Sequence, residues 1–488
     1  MKKLLAKKHT AIALGLVCLL MWCTPARAIT VKEEDKLGRE SMKYIVRQFQ
    51  LVSDPTIDDY VNKIGQKLLK YMPPQPFTYH FYVINKDVYN AFAIPGGHIF
   101  IYSGLIEAMD SEDELAGILG HEISHVVCRH ISKNIERSKK FNLATMAGMV
   151  AGIFLGAATG DAAAMQALTI GSVAAGQTAA LAYSRDDESQ ADQLGVKCIV
   201  DAGYSPEGLL DILKKIRGKQ WFGSDQIPTY MMTHPAIEDR IVWIDGWAAA
   251  HPKSLVKHQA GANRAFDRTK IRLEALYGDP NVALDKFEKM LAKNPDDDDV
   301  VYGYALALAQ IGKRSEAIKQ LKRVQAKNAL DPLILTDMGR IYFLDGRYEE
   351  AVNTLEGAVS IGADNSEGLF YLGRSRMEMN QLEKARNVFN KLIDKDTEYQ
   401  QAYYFLGETE GRLNDLPDAH YNLGQFYYMK GDYRTARYHL EKAQAMLHDH
   451  EKLDHIRKIM EAMGKPERGN RQGLRLNPSQ RLIHSPAR

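Results

Sequence analysis

The chain has 488 residues, too many for one ordinary hydrophobic core, so two or more domains are expected. Its 45% apolar and 25% charged residues are those of a soluble globular protein, and its four cysteines are too few for a disulfide scaffold. The formal net charge is +2, but residues 1–28 hold five of the 63 Lys and Arg and none of the 61 acids. The remainder is therefore net acidic by three, which gives no electrostatic reason to invoke nucleic acid.

Residues 1–28 read as a signal peptide. Lys2, Lys3, Lys7 and Lys8 form its basic start, Ala11 to Cys23 its apolar stretch, and Ala26-Arg27-Ala28 its cleavage site. An uncleaved anchor is the alternative reading; a lipoprotein signal fits poorly because the bulky Trp22 precedes Cys23. Beyond the leader only Cys128 and Cys198 remain, and both are expected as free thiols. Residues 29–255 mix strand-like runs with long helices. Residues 77–84 and 98–102 read as strands around a Pro95-Gly96-Gly97 turn.

Ser111-Glu112-Asp113-Glu114 has the pattern of a capping box and opens a helix that runs into "GHEISHVVCRH". His121 and His125 are four residues apart, hence on one face and able to grip a single ion. Leu115, Leu119, Ile123 and Val127 line roughly the opposite face, so the helix lies inside its domain. Glu122, about 100° around from His121, reaches a water beside the metal without binding the metal, the general-base position. The extended pattern HExxHxxGxxH is absent, since Cys128 and Ile131 stand where it needs Gly and His.

The third ligand comes from "SRDDESQAD". Ser184 and Asp187 cap a helix start, and Glu188 and Asp192 then share a face. Glu188 completes a His-His-Glu site for one zinc ion per chain, and Asp192 fixes the tautomer of a ligand histidine. Two acids on a solvated face are the bland alternative. Between the two motifs, residues 141–182 carry a single charge, Asp161. Rich in Ala and Gly, this segment is expected to form a helical hairpin near the site, touching a membrane surface; two membrane spans are the competing reading.

Residues 256–465 repeat. Gly278, Gly312, Gly346, Asn380 and Asn414 are 34 residues apart, as are Ala283, Ala317, Ala351, Ala385 and Ala419. That period is the tetratricopeptide signature, with Gly or Asn at the turn and a small Ala where two helices close-pack. The lattice then slips by half a repeat to Leu423-Gly424, Gly431 and Ala436. One helix near 416–430 is thus expected to serve two units. Residues 466–488, rich in Arg, read as a disordered basic tail.

The HEISH and ESQAD motifs resemble gluzincin-type peptidases related to HtpX and the CAAX prenyl proteases. The order of leader, peptidase and repeats resembles the β-barrel assembly-enhancing zinc proteases of the bacterial periplasm. The resemblance implies an α+β, mostly helical zincin-type metalloprotease domain with a small edge-strand sheet, followed by an all-α tetratricopeptide solenoid. It makes a strand of "NAFAIPGGHIFIYSGLI" a sheet edge above the zinc that pairs with substrate backbone. In "THPAIEDRI" it gives His234 a role at the oxyanion or as a fourth, silencing ligand, and Arg240 a supporting one. The implied function is a periplasmic zinc endopeptidase in quality control and assembly of outer-membrane proteins. Its partners would be stalled outer-membrane proteins and, through the repeats, the β-barrel assembly machinery. The alternative is a chaperone-like assembly factor whose peptidase is mostly latent.

Overall fold

Four helices that build the first unit start where a short polar side chain accepts a backbone N–H that has no partner within the helix. Thr30 accepts from Glu33, Asp54 from Thr56 and Ile57, Ser111 from Glu114, and Ser184 from Asp187. Ser184 and Asp187 form the reciprocal box. At Ser111 the box is incomplete, because the Glu114 carboxylate accepts from the Asp110 N–H instead. The structure is a computed structural model that describes residues 29–137, 183–221, 229–252, 264–362 and 365–464. The expected leader, the apolar segment 141–182 and the tail 466–488 lie outside the described residues.

The chain divides into two compact units, residues 1–324 and 325–488. The first begins with α1 (Val31–Gln48) and α2 (Pro55–Leu69), then β1 (His80–Ile84), β2 (Ala91–Ile94) and β3 (His98–Tyr102). After these come α3 (Ser103–Ala108), α4 (Glu112–Val127), α5 (His130–Arg137), α6 (Arg185–Asp201), α7 (Glu207–Trp221), α8 (Thr229–Thr233) and α9 (Ile237–Ala250). It ends with α10 (Arg264–Tyr277), α11 (Pro280–Lys293), α12 (Asp298–Gln310) and α13 (Arg314–Lys327), in which the division falls.

The sheet has the order β1-β3-β2, with β3 parallel to β1 and antiparallel to β2. The Pro95-Gly96-Gly97 turn therefore joins β2 to β3, and the expected strand at 98–102 is central rather than an edge. The edge is β2, a third strand. All four of its residues are buried, so it lacks the alternation that marks a half-buried strand in sequence. The outer side of β1 is partly covered by a bridge from Leu51 to Ile84.

Gly120 on α4 faces α6. A Cβ there would lie 2.7 Å from the Ile199 side chain, and one on Gly195 would lie 3.3 Å from the Gly120 backbone. The two glycines let the helices cross closely, which carries Glu188 and Asp192 up to His121. Leu115, Leu119 and Ile123 are buried with Val196, Ile199, Ile212 and Ile216 in one core. Each such side chain contributes about 1.5–3 kcal/mol through burial. Phe266 and Leu273 of α10 belong to the same core, so apolar packing continues past residue 255.

Among the described residues the second unit has helices only: α14 (Pro332–Leu344), α15 (Tyr348–Ile361), α16 (Ser366–Glu378), α17 (Leu382–Lys395), α18 (Gln400–Arg412), α19 (Leu416–Met429), α20 (Tyr433–Met446) and α21 (His450–Ala462). Its turn residues Gly346, Asn380, Asn414 and Gly431 all have left-handed φ between 57° and 78°, which explains why only Gly or Asn stands there. Ala351, Ala385, Ala419 and Ala436 are buried between paired helices. The half-repeat slip has a packing signature. Gly407 of α18 sits against Leu423 of α19, and Gly424 of α19 sits in the same way against Leu440 of α20. Helix α19 is thus the second helix of one pair and the first of the next.

Candidate metal centre

Helix α4 is buried along nearly its whole length, so its polar groups must find partners inside the protein. The Nε2 atoms of His121 and His125 lie 3.0 Å apart. From α6, Glu188 Oε2 is 3.4 Å from His121 Nε2 and Oε1 is 3.4 Å from His125 Nε2. His234, just after α8, brings Nδ1 to 3.1 Å from Glu188 Oε1 and 3.4 Å from His121 Nε2. One ligand atom from each of the four residues lies within 4.8 Å of the others, and none of the four is more than 2% exposed.

The donor set fits a divalent metal ion. Two imidazole nitrogens and a carboxylate converge, and beside them both oxygens of the buried Glu122 lack a hydrogen-bond partner. Such groups are costly to bury without a cation between them. Burial pushes the Glu122 carboxyl above its ordinary range, as suits a group that must take up a proton. Burial pushes the Glu188 carboxyl the same way, but the charges of His234 and Arg240 override it and hold Glu188 well below the usual range. Burial keeps His125 neutral, the form in which it can ligate.

A further layer orients these groups. His121 Nδ1 lies 2.9 Å from Asp192 Oδ1. Arg240 on α9 donates to both Asp192 oxygens at 2.8 Å, and its Nη1 lies 2.8 Å from Glu188 Oε2 as an ion pair without hydrogen-bond alignment. Arg240 thus holds two acids of α6 at once. Between His234 and α9 the chain turns through Ala236, whose φ of 61° is disfavoured for a residue with a Cβ. The strain sits beside the centre.

The structure brings Glu122, His121, His125, Glu188, Asp192, His234 and Arg240 to one place. Sequence reasoning missed four neighbours. Tyr183 stacks on His125 at 3.6 Å between ring centroids, and Tyr230 stacks on His234 at 4.3 Å. His130 meets His125, and Gln190 meets His130. His130 closes the same short stretch that holds HEISH, and Gln190 sits inside ESQAD, so proximity in sequence was the available signal. The tyrosines carry no motif. Cys128 and Cys198 are both free, and Cys198 donates to the Leu68 carbonyl. A small cavity bounded by Ala93, Ile94 and Pro95 at the end of β2 reaches His125 and Tyr183.

Residues 55–248 match peptidase family M48, and residues 275–339, 342–399 and 371–447 match tetratricopeptide repeats. The chain is 28% identical over 320 residues to the beta-barrel assembly-enhancing protease of Yersinia pestis, covering 65% of this chain and 63% of that protein. It is 27% identical over 331 residues to the protein of that name from Escherichia coli K12, covering 67% and 64%. It thus spans a little under two thirds of the length of these relatives. Over 185 residues it is 31% identical to the metalloprotease YcaL of Escherichia coli K12, covering 37% of this chain and 68% of that protein. With the peptidase match falling on the buried His-His-Glu centre and the repeat matches on the helical pairs that follow, the chain belongs to peptidase family M48.

Proposed function

We propose that the protein is a zinc-dependent endopeptidase of the bacterial periplasm that acts in quality control and assembly of outer-membrane proteins. The convergence of His121, His125 and Glu188 beside the Glu122 carboxylate, which accepts no hydrogen bond, is the observation that carries this reading. Zinc held by these three residues would supply Lewis acidity to a peptide carbonyl and make an attacking water more acidic. Glu122 accepts the proton of that water at its carboxylate and passes it to the departing amine. Asp192 keeps His121 protonated at Nδ1 so that Nε2 is free to ligate, and Arg240 holds Asp192 and Glu188 in place. In this reading an extended substrate pairs with the β2 edge, which favours unpaired strands such as those of an unassembled β-barrel.

In this reading residues 1–28 are a cleaved leader, 29–255 the peptidase, 256–465 a repeat region for partner or substrate, and 466–488 a tail. The segment 141–182 touches the membrane surface. The assembly role rests on the names of the relatives and on the repeats. A second reading, a chaperone-like assembly factor with a mostly latent peptidase, draws support from His234, which sits among the ligand atoms. Casein cleavage by the purified chain, with and without a zinc chelator, tests the first reading. Chelator-insensitive cleavage, or none after Glu122 and zinc are both in place, counts against it. Assistance to outer-membrane protein assembly that survives Glu122→Gln supports the second.

A further inference from the structure

The two ligand histidines are backed differently. His121 Nδ1 faces the carboxylate of Asp192, itself paired with Arg240. His125 Nδ1 faces another imidazole, with Nδ1 of His130 at 2.9 Å, and His130 Nε2 lies 2.9 Å from Gln190 Oε1. His130 is fully buried, whereas Gln190 is on the exposed side of α6.

The geometry allows one proton arrangement if the centre holds a metal. His125 Nε2 points at His121 and Glu188 and must offer a lone pair, so its proton sits on Nδ1. That proton has one facing acceptor, His130 Nδ1, which must then be bare. The proton of His130 consequently sits on Nε2, where the Gln190 oxygen accepts it. The reverse arrangement puts a proton on His125 Nε2, aimed into the ligand cluster, and blocks ligation. We propose that His130 and Gln190 form a neutral hydrogen-bond relay that locks His125 in its ligating tautomer.

This inference rests on the metal reading, and it assigns His130 as a positioning residue. The group that backs His125 is an imidazole rather than a carboxylate, since an acid at position 130 would add a buried charge beside Glu188 and Glu122; the Asp187 carboxylate stands off at 3.7 Å from His130 Nε2, beyond hydrogen-bond distance and on the far side of the ring. The relay orients the imidazole without that charge.

The test compares zinc affinities of full-length variants by competition with a chromophoric chelator. His130→Leu removes the acceptor and is expected to weaken zinc binding about 10–100-fold in protein that remains folded without metal, as its melting temperature measured alongside shows. His130→Asn sets its Oδ1 where Nδ1 was and is expected to restore most of the affinity. Wild-type affinity in the Leu variant, or an Asn variant as weak as the Leu variant, overturns the relay. Should the Leu variant not fold, tautomers read by nitrogen-15 NMR on the histidine-labelled, zinc-loaded wild type decide the matter. A proton on His125 Nδ1 and His130 Nε2 is expected, and one on His130 Nδ1 overturns the proposal. A wild-type chain that binds no zinc fails the metal reading rather than the relay.

Discussion

Arg272 and Asp54 are joined by a buried ion pair in which Nε lies 2.9 and 2.7 Å from the two carboxylate oxygens. Arg272 is fully buried and Asp54 is 3% exposed, and the Tyr302 hydroxyl accepts from the same guanidinium. Asp54 also caps α2, so one carboxylate starts a peptidase helix and receives a charge from α10.

Removing Arg272 leaves Asp54 charged and buried, which costs about 3–5 kcal/mol. Arg272→Ala is therefore expected to lower the melting temperature of the first unit sharply. A chain ended at residue 255 loses Arg272, Phe266 and Leu273 together and is expected to melt lower than one ended after Lys327. Equal melting temperatures in calorimetry would show that α10 is dispensable to the core.

His234 is expected to restrain the enzyme. Its Nδ1 lies among the ligand atoms and its Nε2 is 3.5 Å from Glu122 Oε1, so it stands where water and substrate must enter. His234→Ala should raise basal casein cleavage several-fold while zinc content holds. A fall in cleavage at constant zinc would assign His234 to stabilisation of the transition state instead. No change would remove both roles.

Glu410 in the second unit makes a pH prediction. Burial pushes its carboxyl up to about 7, with the nearby Asp418 adding to the effect and the Asn422 amide opposing it. The folded form holds its proton between about pH 4.5 and 7 while the unfolded form has lost it, so stability falls as pH rises through that window. Above it the cost is roughly 1–3 kcal/mol. Glu410→Gln is expected to stabilise the second unit at pH 8 and leave it little changed at pH 4. Equal melting-temperature gains at both values would contradict the assignment.

The repeat lattice and the meeting of His121 with His125 were legible because each rests on fixed spacing. A left-handed turn every 34 residues admits only Gly or Asn, and two histidines four apart must share a face. Even the slip near Leu416 was legible, since Gly424 repeats the packing of Gly407 seventeen positions later. Strand β2 was not, because Ala91–Ile94 is buried on both faces and has no alternation. Nor were Tyr183 and Tyr230, whose stacking on His125 and His234 depends on distant elements converging. The slip carries its own test. A Cβ on Gly424 would lie 2.5 Å from Leu440, so Gly424→Ala should destabilise the second unit by about 1–3 kcal/mol. An unchanged melting temperature would mean that α19 and α20 do not close-pack.

Zinc content and cleavage measured side by side on the wild type, Glu122→Gln and Glu188→Ala test the central claim most directly. One zinc per chain is expected in the wild type and in Glu122→Gln, with cleavage lost only in the latter, because the base is gone and the ligands remain. Glu188→Ala should lose both. A Glu188→Ala protein that kept its zinc and its cleavage would contradict the account, since the third ligand would then lie elsewhere.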